Sequence, residues 1–496
     1  MAVKRYFASQ DNTLTNAFKN SLTTRGTGSN MGAADILESF VIFGQTTAAA
    51  NVGTAGQSRV LIKFDVNEML NDISTGVVPS SSVDYVLKLY NAPHGGTTPL
   101  SYSLDIAMVS QGWSEGRGLD MENYSDFGYS NWIQPSPSVS WNVTGGDYYG
   151  ESEYISSYFF SGGVEDLELN VNYAFDEWRS LNKNNEGFLI KHTDEVISGT
   201  LGTFYTKKFF SRTSEFALKR PYLEAQWNSS RKDQRGTFVV SSTLAPAADN
   251  LNTLYLYNSV RGQLKDIPYL DGGSIIVSLY DNFSGSASGS ALEIRNSVNE
   301  TVTGITGGIL IENGTQRTGV YTASFATTSS LATVHDVWFT SADGGVTQTQ
   351  YYTGSIDPGI LQGNALLHNE EYISSITNLK PSYFAGENPT LRVFSRKKNW
   401  SPNIYTVASS EALPNIVEES YYRLSRTVDN FEILPYATGS NQYTKLSYDV
   451  SGNYFPLDTS YLEPGYTYSI QLLYYLNGIY KEQPETFKFR IDEEQI

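Results

Sequence analysis

The sequence predicts an all-β, multi-domain protein built of β-sandwiches. Three observations predict it. Short apolar stretches alternate with polar residues at a period near two, the signature of half-buried strands. Tyr (35), Phe (24) and Trp (7) are abundant, and aromatic residues suit pleated surfaces. Gly, Ser, Thr and Asn crowd the intervals between these stretches, where tight turns need them. Charged residues make up 17% of the chain, too few to coat a set of solvated helices. At roughly 100–200 residues per domain, the 496 residues make about three domains.

Residues 1–30 are polar and rich in Thr and Asn. They read either as a frayed tail or as an extended arm that pairs with a sheet edge or a neighbouring subunit. The first domain is expected over 31–228, with strands at 59–66, 83–90, 104–109, 156–161, 187–191, 202–211 and 222–227. One short helix stands out at 171–181, where Val171, Ala174, Phe175 and Trp178 fall at i, i+3, i+4 and i+7. A polar, charged run over 228–236 reads as a linker. Strands resume at 237–240, 252–257, 274–280, 321–325 and 336–340, a spacing that suits a seven-stranded immunoglobulin-like sandwich over 237–356. After a second break at 357–369, the last domain, 370–496, alternates again at 390–395, 421–425, 466–476 and 486–491. Within it, Leu462-Glu-Pro464-Gly465-Tyr-Thr-Tyr468 resembles the tyrosine corner of fibronectin type III and related sandwiches, whose Tyr hydroxyl bonds back to the backbone. Gly319-Val-Tyr321 is a weaker echo in the middle domain.

Acidic residues outnumber basic ones by 52 to 34, a net charge of -18. That argues against nucleic-acid binding, which needs a cationic surface, and against adsorption to an anionic membrane. The chain has no cysteine, so disulfides, zinc–thiolate centres and cysteine nucleophiles are excluded. The start, Met1-Ala-Val-Lys-Arg-Tyr-Phe7, has no apolar run behind it and does not read as a secretory signal. No stretch approaches the ~18–20 apolar residues of a membrane-spanning helix. The expectation is a soluble chain made in the cytosol, with no membrane insertion.

Asp120, Glu122 and Asp126 form the densest acidic cluster, and Trp113, Trp132 and Trp141 lie near them in sequence. The cluster invites three functional readings. Two carboxylates roughly 5–10 Å apart serve glycoside hydrolysis. Hard oxygen ligands at short intervals hold calcium, although the EF-hand loop is missing. The three indoles offer flat faces for contact with a glycan. Against all three stands a solvated acidic loop whose Trp residues pack on the end of the sandwich, and this is the preferred reading. The four histidines, His94, His192, His335 and His368, show no zinc spacing. No G-x-S-x-G elbow precedes a helix. Gly26-Thr-Gly-Ser-Asn-Met-Gly32 lacks the strand and helix of a dinucleotide loop and reads as a flexible arm or turn. Arg396-Lys397-Lys398 beside Trp400 reads as plain surface or an inter-subunit salt-bridge patch. No catalytic residue and no cofactor are expected.

Two resemblances add to this reading. The strands Arg59-Val-Leu-Ile-Lys-Phe64-Asp65 and Val86-Leu-Lys-Leu-Tyr90, with Trp113-Ser-Glu115, Trp141, Trp178 and Gly187-Phe-Leu-Ile190, resemble the DNRLRE family of modules over about residues 30–228. That resemblance implies a jelly-roll-like sandwich with no shared catalytic motif. The whole chain resembles virion structural proteins of large marine, T4-like tailed phages of the cyanophage type. The segments that carry this are Arg25-Gly-Thr-Gly-Ser-Asn-Met-Gly-Ala-Ala-Asp35-Ile-Leu-Glu38, Gly116-Arg-Gly-Leu-Asp120-Met-Glu122-Asn-Tyr-Ser-Asp126, Tyr383-Phe-Ala-Gly-Glu-Asn-Pro389, Lys398-Asn-Trp400-Ser-Pro-Asn-Ile404 and Leu446-Ser-Tyr-Asp449-Val-Ser-Gly-Asn-Tyr454. It implies a non-enzymatic subunit of the particle: collar, neck, tail fibre or decoration. Its partners would be other virion proteins and further copies of itself. A host-attachment protein that binds surface glycan is the rival from the binding class. A polysaccharide depolymerase is the rival from the enzyme class.

Overall fold

The computed structural model describes residues 2–20, 23–45, 53–125, 129–195, 204–243, 245–268, 270, 274–283, 287–342, 347–359, 371–401 and 413–493. It is nearly all β, with 48% strand and 7% helix. The chain divides into two compact units, Val3–Trp227 and a second made essentially of Asn228–Ile496.

The first unit is a sandwich. Its strands are β1 (Val3–Thr15), β2 (Ser29–Asn30), β3 (Ile36–Gln45), β4 (Gly53–Phe64), β5 (Asp84–Leu89) and β6 (Tyr102–Met108). Then come β7 (Asp120–Ser125), β8 (Ile155–Phe160), β9 (Leu167–Asn170), β10 (Phe188–His192), β11 (Phe204–Phe210) and β12 (Tyr222–Gln226). The main hydrogen-bonded path runs β8-β6-β10-β4-β1-β12-β5-β9. β1 serves two ladders. Its Val3–Phe7 stretch pairs with β12, and the stretch from Ala8 to Thr15 pairs with β4, with a register shift between Ala8 and Gln10. A bulge of this kind kinks a strand and lets it turn a sandwich corner.

The arm expected over 1–30 is therefore corrected: much of it is a central strand. The polar sequence hid this. Asp11, Asn12, Thr13 and Thr15 are fully buried but hydrogen-bonded. The Asn12 amide donates to the Ser130 carbonyl (3.0 Å) and hydroxyl (2.7 Å) and accepts from the Met31 N–H (3.0 Å). Thr13 Oγ1 accepts from the Glu38 N–H at 3.1 Å. The neighbouring strands were easier to read. Val60, Leu61 and Ile62 of β4 and Phe188, Leu189 and Ile190 of β10 are buried on both faces, so they read as continuous apolar runs.

Two helices join this unit. α1 (Val66–Ser74) was not expected. Asp65 begins it, its carboxylate accepting from the Asn67 N–H at 2.9 Å, a standard N-cap. α2 (Asn172–Arg179) falls inside the expected helix and buries Ala174, Phe175 and Trp178. Its Phe175 ring stacks on Tyr85 of β5.

In the second unit, the run expected as a linker over 228–236 is a strap. Its backbone lies beside the strand Ser447–Asp449, with Tyr448 N–H donating to Arg231 O (3.0 Å) and Asp233 N–H to Tyr448 O (3.2 Å). Its side chains reach elsewhere. Arg231 holds Glu312 at 2.8 Å and Arg235 holds the buried Asp336. The charges that suggested solvent meet a part-buried carboxylate, Glu312, and a buried one, Asp336.

Beyond the strap, eight strands form one sheet, seven along a single path and Asn252–Tyr257 branching from it. The 13-residue strand Thr315–Thr327 pairs with Asn252–Tyr257, Ile305–Glu312 and Ile294–Arg295, and so ties the whole together. Leu254, Ile275, Val277, Leu279, Phe325 and Trp338 form its core. The C-terminal part has the two-sheet, immunoglobulin-like arrangement. One sheet has four strands: Tyr372–Ile376, Thr390–Lys397, Gly452–Pro456 and Ser447–Asp449. The other has five: Ser382–Phe384, Ile479–Asp492, Thr467–Leu476, Ser420–Arg426 and Glu432–Leu434. Tyr474 joins them, its hydroxyl bonding Ser374 Oγ (2.7 Å) and Ser395 Oγ (2.8 Å). The tyrosine corner is present, since Tyr468 is buried and donates to Glu463 O at 2.8 Å. Tyr321 works differently: its hydroxyl accepts from the Ile267 N–H at 2.9 Å.

Candidate functional site

The three indoles of the first sandwich come together, as neighbours in a core. Trp113, Trp132 and Trp141 pack with Leu14, Leu61, Val109 and Leu189, and each is only 5–6% exposed. Trp113 Nε1 donates to Glu186 O at 2.9 Å, and Trp141 Nε1 to Asn131 O at 2.8 Å. The Arg59 guanidinium lies 5.1 Å from the Trp132 ring and donates to Gly145 O at 2.9 Å. Gly145 has φ of 94°, and a Cβ there would sit 2.8 Å from the Trp132 ring, so glycine alone fits. The reading of these indoles as glycan contacts is corrected: their faces are spent on covering β4 and β10.

The acidic cluster is also committed to the backbone. Asp120 Oδ1 accepts from the Glu122 N–H at 2.9 Å. Glu122 Oε1 accepts from the Asn20 N–H at 3.1 Å, and its carbonyl accepts from Lys19 Nζ at 2.6 Å. Asp126 lies outside the described residues. Among the described residues, no group of three His, Asp or Glu is placed to hold a metal ion.

The Gly-rich segment expected as a flexible arm or turn is a tight backbone crossing. A Cβ on Gly32 would lie 2.1 Å from Gly116 O, and one on Gly118 would lie 2.0 Å from Asn30 O. Asn30 Oδ1 accepts from the Gly118 N–H at 2.9 Å. The crossing thus joins two stretches that lie far apart in sequence.

Sequence reasoning missed the buried charges. Beside the crossing, Arg212 Nε donates to Glu115 Oε1 at 2.6 Å, and the Arg212 N–H to Asp11 Oδ2 at 2.7 Å. The Asp11 N–H donates to the same Glu115 oxygen at 2.9 Å. Among the described residues, Asp11 Oδ1 has no hydrogen-bond partner. Burial pushes the Asp11 carboxyl up to about 7, the Arg212 N–H pulls it down, and the Glu115 charge pushes it up. A carboxyl near neutrality suits general acid–base work. Asp11, however, has no exposed surface, so it meets no substrate and acts on the fold.

A second group spans β1, β12, β5 and β9. Arg5 Nε donates to Glu224 Oε2 at 2.7 Å, and Lys88 lies 3.4 Å from both Glu224 and Glu168. Two further buried basic side chains are structural. Lys207 Nζ donates to Asn91 Oδ1, Gly163 O and Glu165 O at 2.7, 3.1 and 2.6 Å, and burial pulls it down to about 8. Burial pulls His192 down to about 4, and its Nε2 faces Ser39 O at 3.2 Å.

The sheet edges are the remaining features that could meet a partner. β8 ends its path, and among the described residues no strand covers its outer edge. Its sequence, Ile155-Ser-Ser-Tyr-Phe-Phe160, has no charge and no proline. Its pairing with β6 runs without a bulge, and Phe159 is 64% exposed. Thr347–Ile356 and Tyr372–Ile376 are also uncharged end strands. Ile479–Asp492, paired on its outer side only at Arg490–Asp492 among the described residues, contrasts with them, carrying Lys481, Glu482, Pro484, Glu485, Lys488 and Arg490. Charges, prolines and bulges are how sheet edges avoid pairing.

The chain matches no family model and no curated protein.

Proposed function

We propose that this chain is a structural subunit of a tailed-phage virion, such as a collar, neck, fibre or decoration protein, that acts by assembly and not by catalysis. The observation that carries the assembly reading is the bare edge of β8. A six-residue strand with high β-propensity and no charge is a template for another strand. In a chain of net charge -18, such a strand lets copies approach with little local repulsion. Main-chain hydrogen bonds would supply the affinity and Phe159 the anchor. The particle itself is supported by the resemblance of segments such as Arg25–Glu38 and Gly116–Asp126 to virion structural proteins.

Phe159→Lys tests the interface at an exposed position where folding is little affected. Light scattering at about 10 μM protein should show an oligomer for the parent chain and a monomer for the variant. A parent monomer, or an oligomer indifferent to the charge, would count against the proposal. A density map of intact virions then tests membership, and particles that lack the chain would end the virion reading.

A further inference from the structure

Lys207 of β11 has no exposed surface, and its Nζ meets neutral oxygens. Asn91 Oδ1 lies at 2.7 Å, Gly163 O at 3.1 Å and Glu165 O at 2.6 Å. Buried charges are normally paired with an opposite charge. The rings of Phe160 and Phe209 stand 4.5 and 5.3 Å from the same nitrogen and keep water from it. Burial pulls this amine down to about 8, so much of it is neutral near that pH. A lysine amine desolvated in apolar surroundings is a nucleophile.

The Asn91 carboxamide is the electrophile it faces, and the backbone holds the two together. Asn91 bridges Phe209. On either side, Ala92 N–H donates to Lys208 O (2.9 Å) and Phe210 N–H to Tyr90 O (3.1 Å). Lys207 lies two residues before Phe209 on the same strand face, and so is the diagonal neighbour of Asn91. The Asn91 N–H is held by Asp166 Oδ1 at 2.7 Å. As an ammonium, Lys207 bonds all three oxygens. As an amine it keeps two N–H groups for Gly163 O and Glu165 O, and the lone pair is left to the carboxamide. Groups held in such contact react by an internal step and need no collision.

We infer that Lys207 and Asn91 join in an intramolecular amide cross-link. Nζ attacks Asn91 Cγ, the new C–N bond forms and the Cγ–Nδ2 bond breaks. Nδ2 leaves as ammonia with the proton that Nζ sheds, so no oxidant or cofactor is consumed. Asp166 and Glu165, the acids whose charge reaches Lys207, can relay that proton. Asn91 is only half-buried, which gives ammonia a way out. In a chain without cysteine, this bond takes the place of a disulfide and closes a separation of 116 residues. The inference needs only the first sandwich and stands apart from any place in a particle.

Mass spectrometry of the denatured full chain, after incubation at about pH 8, tests it. The chain should weigh less than its sequence by one ammonia. Trypsin should release residues 89–117 and 192–208 as a single branched peptide, because acylated Lys207 is no longer a cleavage site. Asn91→Ala leaves the backbone pairing intact and should restore the full mass, as should Lys207→Met. A parent chain of full sequence mass would overturn the inference. So would ammonia lost without the branched peptide, or a deficit that persists in Asn91→Ala.

Discussion

Glu224 and Asp11 both lie in the first sandwich with no exposed surface, and their neighbours set them apart. Burial raises both carboxyls. For Glu224 that is outweighed by Arg5 and then Lys88, helped by Gln226, so it is held below the usual carboxylate range. Asp11 shares its one cation with Glu115 and is pushed up to about 7. Equal burial thus yields one carboxylate fixed in its charged form and one poised near neutrality. What decides is how many cations each acid has to itself.

The largest test removes a cation from the compensated site. Arg5→Met should lower the stability of the first sandwich by about 3–5 kcal/mol, because it leaves a buried charge short of a partner. Urea unfolding followed by the fluorescence of the buried indoles measures it. Adding Glu224→Gln should recover most of the loss, and failure to recover would mean that packing, not charge, dominates there.

Acidity tests the other site. The folded carboxyl of Asp11, at about 7, lies above its ordinary value of 3.8, so the folded chain holds a proton that the unfolded chain releases. Between about pH 4 and pH 7 the native state therefore binds more protons, and stability rises as pH falls through that window. The gain is up to about 4 kcal/mol, since each tenfold difference in proton affinity between the folded and unfolded chain is worth about 1.4 kcal/mol. Asp11→Asn should remove this dependence and leave the protein more stable than the parent at pH 8. A parent whose unfolding midpoint is flat from pH 8 to pH 5 would break the comparison.

The smallest test repeats the logic without net charge. Tyr321→Phe strips the partner from the Ile267 N–H and should cost about 1–3 kcal/mol. Tyr468→Phe removes the donor to the Glu463 carbonyl and should cost about 1 kcal/mol. Thermal melts of the two variants rank them, and equal losses would show that the partner left behind does not matter.

Much of the fold was legible because burial on pleated faces leaves a periodic trace. Asn252–Tyr257 and Ser274–Tyr280 start and end where the alternation places them. β1 left no such trace, because Asp11, Asn12 and Thr13 sit inside with their hydrogen bonds made by distant groups. The 228–236 run misled for a related reason: Arg231 finds Glu312 across 81 residues and Arg235 finds Asp336 across 101. The trio Trp113, Trp132 and Trp141 was visible as a cluster, but composition does not say whether an indole face meets a ligand or Leu61. The Asp11 site was out of reach, since Arg212 lies 97 residues from Glu115 and 201 from Asp11.

The pairing of Val3 with Gln226 joins the opening strand of the first sandwich to its closing one. During synthesis, the Val3–Phe7 stretch must then wait until β12 has left the ribosome. At ~5–20 residues per second the wait is roughly 10–45 s. Through that interval the Asp11 carboxyl lacks Arg212, which arrives with the last strands. It takes up at most one proton as the last strands dock and Arg212 and Glu115 close over it. Proton uptake near neutral pH is thus a chemical clock for completion of the first module, readable in a weakly buffered refolding reaction.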